Sequence, residues 1–437
     1  MDVLSSRRLS ERGAVIIQVA VTLMGLLAFS AFVVDYGVMW SSRGQAQNAA
    51  DAGALSGAIS LAFDSGTDFA GAQMKARGVA QENWVWGQSP DVQLSDVTFP
   101  ACPPGAPGPP DTCVKVEVFR NQARGNPLPI FFASLVGVAD QGVRATATAQ
   151  VVGADTTDCL KPWAVVDRWD EFEPGGAEPD YPNVDPDYLP DSTYDKYSTG
   201  QGNQPPQEND FYKPATKTDA GTGFRLPADE GLQYAIKVGD ASNTVSSGWF
   251  RAIRLPRLDG QNGASVYKDN ILSCNGLPSS YAEPETVCPA TIGQDDMAYW
   301  AARGCYTVET GNMVGPTSQG IEELILRDAG ASWSTTGKEI INSKFTPPTK
   351  SPRVVPIGVM NIDMYMAQDP NGSTPVIRME NIYGYFIEGM GDVSPTGVIT
   401  PNKSGKSVIG RIMTIPATGA SKLTNQSTFL RSIILVR

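Results

Sequence analysis

Apolar and polar positions divide this chain into regimes of different period. Residues 14–34, AVIIQVAVTLMGLLAFSAFVV, contain no charge and no proline. As a helix that run crosses a bilayer core, which takes about 20 apolar residues. No turn signal follows it. DYGVMWSSRGQAQNAADAGALSGAISLAF continues as alanine-rich helix, so residues 14–62 read as one rod. Gln18, Thr22, Gly25 and Ala28 share one face of the span, a spacing of small and polar residues that lets a second helix approach and exchange hydrogen bonds. Beyond the span, Ala46, Ala50, Ala54 and Ala58 form one ridge, and Ala49, Gly53 and Gly57 form the next. Two adjacent small-residue ridges make a groove for tight packing, against the chain's own domain or against a partner subunit.

The period then changes. FAGAQMKARGVAQENW is helical in pattern, DVQLSDVTF and CVKVEVFRN alternate with period two as paired strands, PIFFASLVG predicts a short buried helix ended by Gly137, and GVRATATAQVV predicts a third strand. Residues 63–153 thus predict a small α+β unit. Residues 154–223 are rich in Pro, Asp, Gly and Tyr and predict an irregular acidic segment with little to bury. From 224 to 437 strands resume: LQYAIKV, GWFRAIRLP, RVVPIGVMNIDMYM, PVIRMENIYGYFIEGM, KSVIGRIMTIP and FLRSIILVR. One helix interrupts them, SQGIEELILRDAG, with Thr317 or Ser318 as its cap and Ile321, Leu324 and Ile325 on its apolar face. The predicted fold class is α+β: a long pilin-like N-terminal transmembrane helix, the small α+β unit, and a β-rich extracytoplasmic domain closed by the last strand.

Charge orients this layout. Arg7, Arg8 and Arg12 precede the span and only Arg43 follows closely. The positive-inside bias places residues 1–13 in the cytoplasm, the transmembrane helix at 14–35, and the helical extension 36–62 with all that follows outside. A cleaved signal peptide has an apolar region of about 7–15 residues and then a helix break, so this run reads as a retained anchor. The expected location is a bacterial cytoplasmic membrane with the C-terminal body periplasmic or extracellular.

The net charge of −12 is concentrated: residues 155–195 hold twelve Asp/Glu against two Lys/Arg. Such a surface argues against nucleic-acid phosphates as partners. The absence of histidine from the 437 residues excludes Ser-His-Asp and Cys-His relays. Six cysteines, Cys102, Cys113, Cys159, Cys274, Cys288 and Cys305, follow the span, an even number in an oxidising compartment. Cys102 and Cys113 bracket the proline-rich loop CPPGAPGPPDTC and are expected to pair. The other four allow three pairings, of which Cys288–Cys305 is the local one, leaving Cys159–Cys274.

Candidate chemistry is sparse. Asp180, Asp185, Asp187 and Asp191 are closely spaced oxygen ligands suited to calcium, without the glycine and closing glutamate of an EF-hand. Asp240, Ser242 and Thr244 are similar to the metal-adhesion motif of von Willebrand A domains, yet SSGWFRAIRLP follows as a strand where a helix should begin. Gly405, Lys406 and Ser407 imitate the end of a phosphate loop, but Thr400 stands where the loop's first glycine belongs. Glu171 and Glu173 with Trp163, Trp169, Trp249 and Trp300 would suit a carboxylate-based carbohydrate-active enzyme, against core packing and solvated loops as the plainer account.

Arg12-Gly13 before the span, Asp35-Tyr36-Gly37 at its exit and the run from Gln45 to Ala52, QAQNAADA, resemble the N-terminal region of TadE/TadG-like proteins of the Flp (tight-adherence) pilus-assembly system. CLKPWAVVDRW and GNMVGPTSQGIEELILRDAGASW resemble segments of TadG-related proteins without a von Willebrand domain. The resemblance implies a membrane-tethered, non-enzymatic protein without cofactor, metal or small-molecule substrate, partnered by the membrane and by other pilus-assembly or pilin-like subunits. Prepilin-like members place glutamate five residues after the cleavage-site glycine; Gln18 holds that place after Gly13, so an unprocessed anchor in an assembly role fits better than a major pilin. The alternatives are a surface adhesin or ligand-binding module, calcium-dependent through the acidic loop, and the carbohydrate-active enzyme.

Overall fold

With no proline and no turn signal to stop it, the N-terminal stretch forms helix α1 (Val3–Phe63) without interruption. The structure, a computed structural model, describes residues 3–64, 68–104, 113–170, 197, 210–216, 221–237, 249–257, 259–283, 285–311, 313–367, 376–393, 398–417 and 428–436. The two halves of α1 have opposite surroundings. Val15, Leu23, Phe29 and Phe32 stand more than half exposed, whereas Ala46, Ala49, Ala50, Ala54 and Ala58 are wholly buried.

The buried half lies against α2 (Phe69–Glu82). Asp68 starts α2 by accepting the Gly71 N–H at 2.8 Å, a side-chain cap for an otherwise unpaired donor. Ala72, Ala76 and Ala80 form its buried stripe and meet α1 in antiparallel sense, Ala80 beside Gly53 and Ala72 beside Gly57. Strands β1 (Val97–Thr98), β2 (Cys113–Arg120) and β3 (Val143–Gly153) pair antiparallel in that order. The alternation of β2 turns Val114, Val116 and Val118 inward, and that of β3 turns Ala145, Ala147 and Ala149 inward, into one core with the alanines of both helices.

Three elements of this region differ from expectation. DVQLSDVTF yields only the two residues of β1, because a 3-10 turn (Leu94–Asp96) precedes it, with the Asp96 carboxylate accepting the Gln93 N–H at 2.8 Å. PIFFASLVG is not a buried helix. It makes a 3-10 turn (Ala133–Val136) stopped by Gly137 at φ 88°, and it leaves Phe131 and Phe132 at the surface. The last strand (Leu430–Val436) does not close the C-terminal sheet; it pairs antiparallel with β3, from Arg431↔Gly153 to Val436↔Thr148. Ile415–Pro416 adds to it in parallel, making five strands.

The remaining body is sheet-rich. Gln233–Lys237, Ser407–Met413, Val376–Val393, Val354–Met360, Trp163–Val166 and Phe250–Ala252 lie side by side in that order. All neighbours are antiparallel except Trp163–Val166 with Val354–Met360. Strand Val376–Val393 is the spine, and its ends also pair with Cys305–Thr307 and Ile399–Pro401. RVVPIGVMNIDMYM is strand only as far as Met360; Asn361 then accepts the Met364 N–H at 2.8 Å and the chain turns into the short helix Ile362–Ala367. Helix Val314–Arg327 starts earlier than expected, so Thr317 is no cap. It is buried in the helix, donating to Met313 O at 2.7 Å and sharing a 2.9 Å hydrogen bond with the Tyr267 hydroxyl. Disulfides join Cys102–Cys113, Cys159–Cys274 and Cys288–Cys305, with Cα–Cα separations of 5.3, 4.3 and 5.6 Å.

Among the buried charged residues of this body, Asp167 and Lys161 are shifted toward neutral pH. The Asp167 carboxylate accepts the Tyr383 hydroxyl at 2.8 Å and the Phe224 N–H at 3.0 Å, while burial pushes its pKa up to about 6. Lys161 is 3% exposed and donates to the carbonyls of Ser273 at 3.1 Å and Asn270 at 3.3 Å. Burial, helped by the charge of Arg327, pushes it from the ordinary 10.5 down to about 7. Between those values the folded state binds fewer protons than the unfolded one, so stability rises with pH there. The expected contribution is about 2 kcal/mol between pH 7 and 9. With no histidine in the chain, few other groups titrate in that window. Chemical denaturation at pH 7, 8 and 9 should show this rise in the natural chain and a flat profile in Lys161→Met.

Candidate functional site: the N-terminal helix and its platform

The site is built from α1 outward. At Gly53 an added Cβ would lie 2.8 Å from Ala80 Cβ and 2.9 Å from Ala76 O; at Gly57 it would lie 2.9 Å from Val114 Cγ1. These contacts are closer than carbon atoms tolerate, so glycine is what lets α2 and β2 close on the rod. Both small-residue ridges, Ala46–Ala50–Ala54–Ala58 and Ala49–Gly53–Gly57, are occupied by the chain's own α2 and sheet. The polar neighbours reinforce that seat: Gln45 Oε1 accepts the Trp86 N–H at 2.6 Å, and Gln47 Nε2 donates to Asp51 Oδ1 at 2.8 Å and to Thr146 O at 3.2 Å.

The span face is different. Gln18, Thr22, Gly25 and Ala28 lie on the exposed half of α1, where Thr22 Oγ1 donates to Gln18 O at 2.8 Å and a Cβ at Gly25 would meet nothing within 4 Å. By length and composition α1 is a helix able to cross a membrane. Just past the uncharged run, Asp35 is 5% exposed, and its carboxylate accepts the backbone N–H groups of Phe131 at 2.8 Å, Phe132 at 2.9 Å and Ala133. Phe32, Tyr36 and Trp40 stack one turn apart, with ring centroids at 5.8 and 6.3 Å. This latch and ladder were not read from the sequence beyond Asp35-Tyr36-Gly37 as a family marker. The available signal was a lone carboxylate at the end of an apolar run, a group that must find donors when it is buried.

The other candidates separate. Asp180, Asp185, Asp187, Asp191, Asp240, Ser242, Thr244, Glu171 and Glu173 lie outside the described residues. Trp163, Trp169 and Trp249 are at most 2% exposed and pack the core, which removes them as sugar platforms. Gly405 sits so close to Gly391 that a Cβ would lie 2.2 Å from its carbonyl oxygen, and the Lys406 N–H donates to Asp392 Oδ1 at 3.1 Å. That is a strand connection, not a phosphate cradle.

Residues 13–60 match a family described as putative Flp pilus-assembly TadE/G-like, and residues 40–149 match one described as putative Tad-like Flp pilus-assembly. The resemblance read from Arg12-Gly13, Asp35-Tyr36-Gly37 and QAQNAADA is borne out over that region, and these domains support a pilus-assembly-related role. Comparison with curated proteins and with solved structures finds no match. The second matched region holds the buried half of α1, α2 and all of β1 and β2.

The seat of α1 is testable by contrast. Gly53→Ala should cost about 1–3 kcal/mol by overpacking. Gly44→Ala, in the same helix with nothing within 4 Å, should gain about 0.5–1 kcal/mol by helix propensity. Denaturant titration of the detergent-solubilised full chain measures both.

Proposed function

We propose that this chain is a single-pass, N-in membrane protein of a bacterial Tad/Flp-type pilus-assembly or surface-adherence system, with a structural or assembly role and no catalysis. The observation that carries the reading is the division of α1. Its first half is apolar and exposed from Val15 to Ser30 and from Phe32 to Val34, while its second half is the spine of a folded platform. Exposed leucines, valines and phenylalanines along a whole helix are costly in water and favourable in lipid. Residues 14–35 are the span, residues 1–13 its cytoplasmic basic end, and the body from residue 36 lies outside in the periplasm or beyond it. The arginines before the span, the aromatic ladder Phe32–Tyr36–Trp40 at its exit and the three disulfides all fit that topology.

Because the rod continues into the platform core, the platform is held at a set height and angle above the bilayer. A hinged tether would transmit neither. That rigidity suits a protein that positions or connects other subunits. With the alanine ridges occupied, the face open to a pilin-like partner is Gln18, Thr22 and Gly25 within the membrane, where small residues permit close approach, while Ala28 of the same face lines a groove beside Phe132 and Val138.

Deleting the gene should abolish surface filaments and adherence. The full chain should restore both, and a chain lacking residues 14–35 should restore neither. Gly25→Leu should weaken co-purification with pilin-like membrane subunits while leaving the thermal midpoint of the exported body unchanged. Complementation by the soluble body alone would overturn the proposal.

A further inference from the structure

The loop that Asp35 holds against α1 has a chemistry of its own. Residues 126–139, NPLPIFFASLVGVA, contain no charged side chain. Phe131, Phe132 and Val138 are 52%, 42% and 41% exposed. Leu128 anchors the start of the loop in the platform core, whereas Phe131, Phe132 and Val138 lie outside that core. Together with the helix it encloses a groove of about 530 Å³, walled by Met24, Leu27, Ala28 and Phe32 on one side and by Phe132 and Val138 on the other. Residue 24 to residue 34 is about 15 Å along a helix, the depth of one leaflet of hydrocarbon. The groove wall therefore belongs to the outer half of the span, and the loop stands beside it.

An irregular segment can enter lipid only if its backbone groups are satisfied within the protein. This loop meets that condition at several of its backbone groups. The N–H groups of Phe131, Phe132 and Ala133 go to the Asp35 carboxylate. Those of Leu128, Gly137 and Val138 go to the carbonyls of Gln141, Ser134 and Ala133 at 3.0, 3.2 and 3.1 Å. Pro127 and Pro129 have no N–H to satisfy, and the Pro129 carbonyl accepts from Gln141 Nε2.

We infer that the 126–139 loop is a second membrane contact: Phe131, Phe132 and Val138 insert into the outer leaflet, and the groove that Phe132 and Val138 form with α1 holds a lipid acyl chain. The inference rests on the reading of residues 14–35 as the span. Lipid is the occupant because one wall of the groove is the spanning helix itself, so the groove opens into whatever surrounds that helix. Asp35 then has a defined task. It sits where hydrocarbon gives way to headgroups and fixes the loop to the rod at that depth.

The test uses the full chain in liposomes of phosphatidylethanolamine and phosphatidylglycerol, with a photoactivatable diazirine amino acid placed singly at Val33, Phe131, Val138 or Met74. Val33 and Met74 are 50% and 62% exposed. Val33 reports the span, and Met74 lies on α2, on the order of 30 Å beyond Asp35 along the rod. Lipid adducts by mass spectrometry at Phe131 and Val138 should come within about threefold of those at Val33 and exceed those at Met74 by about tenfold or more. Adducts at Val33 with none at Phe131 or Val138, or cross-links from the loop to a second protein chain, would overturn the inference and leave the span intact. No adduct at any position would remove the span and the inference together.

Discussion

The packing on which the N-terminal platform depends is between one helix and everything folded upon it. Where α1 passes the platform it presents alanine and glycine, and α2 and β2 come within a distance that no larger residue would allow. The valines of β2 and the alanines of β3 then close a single core against that surface. Each buried valine stabilises by roughly 1.5–3 kcal/mol, so a core of this kind depends on the rod being there to receive it. The C-terminal body depends on the same sheet at one remove. Its last strand leaves the larger core at Leu430, pairs along β3 and brings Ile433 onto the platform core. Contact thus runs from the exposed apolar helix to the sheet-rich body through packed side chains and strand pairing.

How much of this was legible in the sequence depends on the range of the interaction. The rod, the third strand and the helix at 69–82 follow from local period, and the structure has all three. The two alanine ridges were legible as a packing surface, but what packs on them was not, because α2 contributes its own small stripe from a separate segment. FLRSIILVR was legible as a strand, yet nothing local distinguishes pairing with β3 from closing the larger sheet. Local hydrogen bonding overrode period in two places. Asn361 turned the end of an alternating run into helix, and Gly137 with the Asp35 latch made Ala133–Val136 a 3-10 turn and held Phe131 and Phe132 at the surface.

Asp35 brings these threads to one atom group. It ends the uncharged run, marks the family resemblance and ties a distant loop to the rod through three backbone donors. A carboxylate in that position is stabilised by hydrogen bonds in place of water, so it can sit at the edge of an apolar layer without a cation beside it. The body is held by packing and by three covalent staples, and the titration near neutral pH that histidine would ordinarily supply falls instead to the buried Asp167 and Lys161.

The central claim is that the rod is continuous from lipid into the platform core. Hydrogen–deuterium exchange on the full chain in lipid nanodiscs addresses it most directly. Continuity requires the amides from Tyr36 to Leu61 to exchange as slowly as those of β2 and β3, with no fast segment at the exit of the span. Rapid exchange between Tyr36 and Gln45, with slow exchange resuming at Ala46, would reveal a hinge and contradict the account.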